Sequence, residues 1–180
     1  EVVGSGTYGT VFKAQCKETG QTVAIKEMKK YAQLHYQREI DMLKRVNYKG
    51  CVRLLRVLET GDKAFLVMEL LRGGDLFDFI VDTNVYLGNM TIKEALVLTR
   101  AMLCSLEACH LKNFAHLDVK PENFVFRDDS KGADALVLVD FGAAQPFRLR
   151  PFAREKEQYV GGMDDYWIGL PESHIGGTAS

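Results

Sequence analysis

The chain has 180 residues, of which 47% are hydrophobic and 26% charged, with a formal net charge of −1. That length corresponds to about one ordinary domain, and the balance of apolar and charged residues excludes a disordered or fibrous chain. The near-zero net charge excludes the broad positive field of a nucleic-acid binder, so no nucleic-acid partner is expected and local sites must carry the function.

In chain order, the first thirty residues read as short strands at Val2-Val3, Thr10 to Gln15 and Thr22 to Glu27. Glycine-rich Gly4 to Gly9 and the polar Glu18-Thr19-Gly20-Gln21 separate them, which is the turn chemistry of an antiparallel meander. From Tyr31 to about Val46 the apolar positions Leu34, Ile40, Leu43 and Val46 alternate with charges, the pattern of an amphipathic helix. Strands at Arg53 to Glu59 and Lys63 to Glu69 follow, joined by Thr60-Gly61-Asp62.

The second half is expected to be helical first, with a short helix over Asp75 to Val81 and a long one from Thr91 to about Leu111. The long helix presents Ala95, Leu96, Thr99, Met102, Leu103 and Leu106 on one predicted face, and Thr91-Ile92-Lys93-Glu94 has the spacing of a capping box. Phe124-Val125-Phe126 and Leu136 to Val139 then read as a hairpin across the polar turn Arg127 to Asp134. Beyond Asp140 no periodic element is predicted for roughly forty residues, and irregular segments of such length are usually functional or disordered.

Cys16, Cys51, Cys104 and Cys109 form no C-x-x-C pair and no cluster with histidines, so neither a metal site nor a disulfide framework is expected. Reduced thiols point to a cytoplasmic or nuclear compartment. No apolar run approaches the ~20 residues that span a bilayer, so no membrane segment is expected within the chain. The chain opens inside a motif, which leaves room for a targeting segment upstream.

Three segments carry chemistry. Gly4-Ser5-Gly6-Thr7-Tyr8-Gly9 is a G-x-G-x-x-G, a weak signal alone because dinucleotide-binding folds share it. Here strand-like Thr10-Val11-Phe12-Lys13-Ala14 follows instead of a helix, so the loop is predicted to be a hairpin tip whose backbone N–H groups can approach phosphate oxygens. Val23-Ala24-Ile25-Lys26 sets one ammonium in an apolar strand, which is costly unless the charge is paired, and Glu39 on the next helix is the candidate partner. Finally, His116-Leu117-Asp118-Val119-Lys120-Pro121-Glu122-Asn123 precedes Asp140-Phe141-Gly142. Phosphoryl transfer needs a carboxylate to orient a hydroxyl and accept its proton, which suits Asp118. It also needs hard oxygen ligands for Mg²⁺, which suits Asn123 and Asp140.

These motifs, in this order, resemble the protein kinase family, and the likeness runs the length of the chain. The resemblance implies an α+β, bilobal fold: residues 1–71 as a small antiparallel β-sheet lobe with one helix, and residues 72–180 as part of a mainly helical larger lobe, left incomplete. It implies ATP and Mg²⁺, with Gly4, Ser5, Gly6, Thr7 and Gly9 over the phosphates, Lys26 on the α- and β-phosphates, and Glu39 holding Lys26. Asp118 is the implied base, Lys120 the γ-phosphate contact, and Asn123 and Asp140 the metal ligands. Val11, Ala24 and Val125 correspond to the adenine sandwich, Met68 to the gatekeeper, and the backbone of Glu69 and Leu71 to the hinge. Leu43, Leu54, His116 and Phe141 correspond to the column linking the lobes.

Leu-Val-Met-Glu-Leu-Leu-Arg-Gly-Gly-Asp-Leu-Phe-Asp and Lys-Pro-Glu-Asn-Phe-Val-Phe are most similar to the calcium- and calmodulin-dependent group, including calcium-dependent protein kinases. Lys120 implies a serine/threonine protein substrate, and Asp75 with Glu122 implies basic residues before its target. Calcium-linked regulation outside this segment is compatible with the likeness. Leu117 stands where the family has arginine, which argues against a phosphorylated loop as the main switch and keeps a non-catalytic, nucleotide-binding or scaffolding relative in view as the alternative. Gly177-Thr178 matches the end of the activation segment, with Thr178 near Asp118 and Lys120; Leu170-Pro171-Glu172 is the competing anchor. The former alignment leaves the final helices of the larger lobe outside the chain.

Overall fold

The computed structural model describes residues 1–6, 9–30, 33–86, 88 and 90–147. Thr7, Tyr31, the whole of 148–180, and with it Thr178 and both alignments of the activation segment, lie outside the described residues.

Five antiparallel strands make one sheet: β1 (Val2–Gly6), β2 (Gly9–Gln15), β3 (Thr22–Lys29), β4 (Leu54–Thr60) and β5 (Lys63–Glu69), in the order β1-β2-β3-β5-β4. The strand ends move by one to three residues from the sequence reading, and β1 runs on through the glycines to pair Gly6 with Gly9. In β5 the side chains of Ala64, Leu66 and Met68 are buried while their neighbours are not, the two-residue period of a half-buried strand. Helix α1 (Gln33–Arg45) closes that face with Ile40, Met42 and Leu43, and the predicted helical stripe is therefore correct from Ile40 onward.

Helix α2 (Leu76–Tyr86) is longer than predicted, and Asp75 starts it, its Oδ1 accepting the Asp78 N–H at 2.8 Å. The chain can enter α2 because Gly73 passes against the backbone just beyond Phe126: a Cβ there would stand 2.1 Å from the Asp128 carbonyl oxygen. Helix α3 (Ile92–His110) carries the predicted capping box, with Thr91 Oγ1 accepting from Glu94 N–H and the Glu94 carboxylate accepting from Thr91 N–H at 2.8 Å. Such a cap contributes about 1 kcal/mol.

The predicted face of α3 needs correction. Leu96 and Leu103 are 64% and 60% exposed, Thr99 is also exposed, and the buried stripe runs through Leu98, Ser105 and Cys109, with Met102 and Leu106 packed beside it. The helix is apolar on several sides, so its packing partners, the strand Leu136–Leu138 and the turn Ala133–Ala135, choose the face. Ser105 is tolerated there because its hydroxyl donates to the Ala101 carbonyl at 3.1 Å.

Two small sheets complete the described chain. Strands β7 (Phe124–Phe126) and β8 (Leu136–Leu138) form the predicted hairpin, and Phe124, Phe126 and Leu138 are fully buried. Truncating such a phenylalanine to alanine costs about 3–5 kcal/mol. Strands β6 (Phe114–Ala115) and β9 (Gln145–Pro146) pair where an irregular segment was expected. One hydrophobic cluster joins Met42 and Leu66 of the first half to Phe124 and Phe141 of the second. Among the described residues no helix is long and apolar enough to cross a membrane.

Candidate active site

The glycine motif is a hairpin between β1 and β2, as its strand-like sequel predicts, with Ser5 opposite Thr10 and Gly6 opposite Gly9. Gly9 is the position that cannot change. Its φ is +141°, and a Cβ would fall 2.2 Å from the Glu27 carbonyl oxygen of the neighbouring strand β3. Gly4 meets no such wall.

Beneath that hairpin, the register of β2, β3 and β5 sets Val11 opposite Lys26 and Ala24 opposite Met68, with Leu54 opposite Met68 on the far side. Lys26 and Glu39 are 5% and 1% exposed, and Lys26 Nζ donates to Glu39 Oε1 at 2.7 Å and to Asp140 Oδ1 at 2.8 Å. Burial alone would lower the Lys26 pKa; the charges of Glu39 and Asp140 outweigh it and raise it, so the ammonium stays protonated. Burial pushes the Glu39 carboxyl up, against the pull of the Lys26 charge 2.7 Å away. Glu39 Oε2 is buried without a hydrogen-bond partner, so Lys26 is what compensates that carboxylate.

The second cluster lies between β6 and β7. Lys120 Nζ donates to Asp118 Oδ2 at 2.8 Å, and Asn123 Nδ2 donates to both Asp118 O and Asp118 Oδ2, at 2.7 and 2.9 Å. The Lys120 bond first, then that of Asn123, holds the Asp118 carboxyl below the ordinary aspartate value. Asp118 is therefore ionised and aimed, while Oδ1 of Asn123 makes no hydrogen bond to a described residue.

Val139 couples the clusters through its backbone. Its N–H donates to the Asn123 carbonyl at 2.9 Å, and its carbonyl accepts from His116 Nε2 at 2.9 Å. Burial pushes the His116 imidazole below its ordinary value, so it is neutral; the carbonyl fixes the proton on Nε2, and Nδ1 accepts the Asp118 N–H. Asp140 is next in the chain, held left-handed at φ 55° with Oδ1 accepting from Gly142 N–H at 3.4 Å. His116 meets the Phe141 ring edge-on at 5.1 Å, and α1 packs on the turn Phe141–Ala143, so the helix bearing Glu39 and the turn bearing Asp140 are in contact. Leu117 adopts φ 62° with its side chain exposed, a backbone that costs a non-glycine residue about 1–2 kcal/mol.

The remaining predicted positions fall around these clusters. Val125 is bridged to Asp75 and half-buried between two fully buried phenylalanines. Leu71 N–H and C=O make no backbone hydrogen bond to a described residue. Asp75 spends one oxygen on capping α2, and Glu122 is exposed in the turn Pro121–Asn123. Two features escaped the sequence reading. The backbone role of Val139 leaves no side-chain signature. The ion pair between Arg127 and Glu69, at 3.1 Å from Nε to Oε2, joins residues far apart in the chain.

The family model described as the protein kinase domain matches residues 1–163. The chain belongs to the protein kinase family. A probable myosin light chain kinase of Dictyostelium discoideum is 33% identical over 150 residues, covering 81% of this chain and 37% of that protein. Calcium-dependent protein kinase 5 of Plasmodium falciparum is 37% identical over 145 residues, covering 79% of this chain and 25% of that protein. Maternal embryonic leucine zipper kinase of Xenopus tropicalis is 30% identical over 187 residues, covering 93% and 28%. The chain thus spans about a quarter to somewhat over a third of the length of these curated relatives. The α+β fold, with its five-stranded antiparallel sheet, is the protein kinase fold. A protein kinase domain implies ATP as phosphoryl donor, a protein as acceptor and, as a rule, magnesium.

Proposed function

We propose that the protein is a serine/threonine kinase that transfers the γ-phosphate of ATP to a protein hydroxyl, with residues 1–71 as the small lobe and the catalytic loop in the larger one. The observation that carries this reading is the state of Asp118: ionised, anchored by Lys120 and Asn123, and tied through Val139 to the segment of Asp140. Asp118 orients the acceptor hydroxyl and takes its proton as the oxygen bonds to phosphorus and ADP leaves. Lys120 neutralises charge on the transferred group, and Lys26, braced by Glu39, holds the α- and β-phosphates.

The donor set suits magnesium. Asn123 and Asp140 offer two hard oxygens and no closed cage, as expected for an ion that keeps waters and binds on substrate phosphates. When bound, it supplies charge neutralisation on the triphosphate. Val11, Ala24 and Val125 sandwich the adenine below Met68, the backbone of Glu69 and Leu71 meets its edge, and Gly4, Ser5, Gly6, Thr7 and Gly9 cover the phosphates. Asp75 and Glu122 give the acceptor site its preference for basic residues before the target. A reducing compartment and calcium-linked control by regions outside this segment complete the proposal.

The test is Mg²⁺-dependent nucleotide binding measured beside phosphorylation of an arginine-containing serine peptide. Binding with transfer supports the kinase. Binding without transfer in the complete protein selects the scaffolding alternative, and an unchanged rate after removal of the arginines removes the assignment of Asp75 and Glu122.

A further inference from the structure

A concavity of about 1030 Å³ lies between the end of α1, the loop 46–53, β4 and the start of the β7–β8 turn. Its lining includes none of Lys26, Glu39, Asp118, Asn123 or Asp140. Leu43, Val46, Leu54 and Val57 supply an apolar floor, and Lys44, Lys49, Arg53, Arg56 and Arg127 stand around it.

The charge is one-sided. Glu69 is the only acidic residue in the lining, and it is consumed internally: Oε2 and Oε1 accept from Arg127 at 3.1 and 3.2 Å, and Oε1 accepts from Arg53 N–H at 3.0 Å. Lys49 reaches an exposed Asp134 at 3.1 Å. Lys44, Arg53 and Arg56 form no ion pair with any described residue, and all three are exposed. In a chain of net charge −1, a local concentration of cations over a hydrophobic floor is not a by-product of overall basicity. Beside it runs β4, the edge strand of the sheet, with Leu55 and Leu58 exposed.

We infer that this groove binds an acidic peptide segment that carries apolar side chains between its carboxylates. Carboxylates meet Lys44, Arg53 and Arg56 at the rim, where complementary charge sets specificity and association rate. The apolar side chains bury against Leu43, Val46 and Val57. A polyphosphate backbone would use the rim and gain nothing from that floor. Leu54 of that floor pairs with Met68 across β4 and β5, and Glu69 ends β5, so the bound segment rests one residue from the positions proposed for the adenine site.

The experiment is fluorescence anisotropy of the whole chain with a labelled peptide in which glutamate alternates with leucine. Controls are the same peptide with lysine for glutamate and a single-stranded oligonucleotide. The glutamate peptide should bind at least about tenfold tighter than the lysine peptide, and the difference should shrink as salt is raised through the screening range. Lys44→Glu combined with Arg56→Glu should weaken it about tenfold or more, with melting by circular dichroism unchanged. The milder Lys44→Ala with Arg56→Gln gives the same readout if the reversal fails to fold. Equal affinity for the two peptides, tighter binding of the oligonucleotide, or full binding by both double variants would each overturn the inference.

Discussion

Lys26 Nζ lies 2.8 Å from Asp140 Oδ1, across 114 positions of chain, and the same ammonium holds Glu39 at 2.7 Å. One cation thus joins strand β3, helix α1 and the Asp-Phe-Gly turn. Lys26 and Asp140, the groups proposed to hold phosphate and metal, are thus tied to each other in the folded chain.

That unit is a stability element as well. Lys26→Met strands a buried carboxylate whose second oxygen has no partner, and should destabilise the fold by about 3–5 kcal/mol. Glu39→Leu added to it should restore a good part of that loss. Urea denaturation of the two single variants and the double variant measures this, with an expected interaction of about 0.5–3 kcal/mol. Strict additivity would show that the two side chains do not act as a buried pair.

Asp118 and Asp140 should fail in different ways. Asp118→Ala should lower turnover by ~10²–10⁴, the usual contribution of a positioned general base, while ATP affinity barely moves. Asp140→Ala should abolish the Mg²⁺ dependence of nucleotide binding and, with it, productive binding of ATP. Peptide phosphorylation paired with nucleotide titration separates them. A parallel loss of ATP affinity in both variants would contradict the division of roles.

His116 makes stability fall on the acid side. Its folded pKa lies below the ordinary 6.5, so below pH 6.5 the unfolded chain binds a proton that the folded one does not, and stability declines as pH falls toward the folded value. The slope from this group approaches about 1.4 kcal/mol per pH unit at most. Denaturant titrations between pH 7.5 and 5 should show it, and His116→Asn should flatten the curve over that range. An unchanged slope in the variant would place the acid sensitivity elsewhere.

The two outer glycines of the hairpin between β1 and β2 should respond unequally. Gly9→Ala must relieve a 2.2 Å approach to Glu27 at a positive φ, and should cost about 1–3 kcal/mol. Gly4→Ala meets open space and should stay within about 0.5 kcal/mol, any effect appearing in the KM for ATP instead. Thermal melts of the two variants check the contrast, which equal destabilisation would erase.

Much of this was legible from local chemistry. The capping box at Thr91 and Glu94, the hairpin Phe124 to Leu138, and the reading of the glycine motif as a strand-flanked turn each depend on residues a few positions apart, where backbone hydrogen bonding and alternation leave one reasonable outcome. The expected Lys26–Glu39 pairing followed from the cost of an unpaired ammonium in an apolar strand.

What the sequence alone determined, then, is the order of the main elements and the pairing of Lys26 with Glu39, because turn geometry, capping, side-chain period and the cost of an unpaired buried charge are local. Tertiary packing decided the rest. It buried Leu98 and Cys109 of α3 in place of Leu96 and Leu103, since a helix apolar on several sides takes its face from its neighbours. It gave one Asp75 oxygen to α2, made the Val139 backbone the bridge between Asn123 and His116, and gathered Lys44, Arg53 and Arg56 around one concavity with Leu43. Each of these is a contact between distant segments, and its energy exists only once the chain has brought them together.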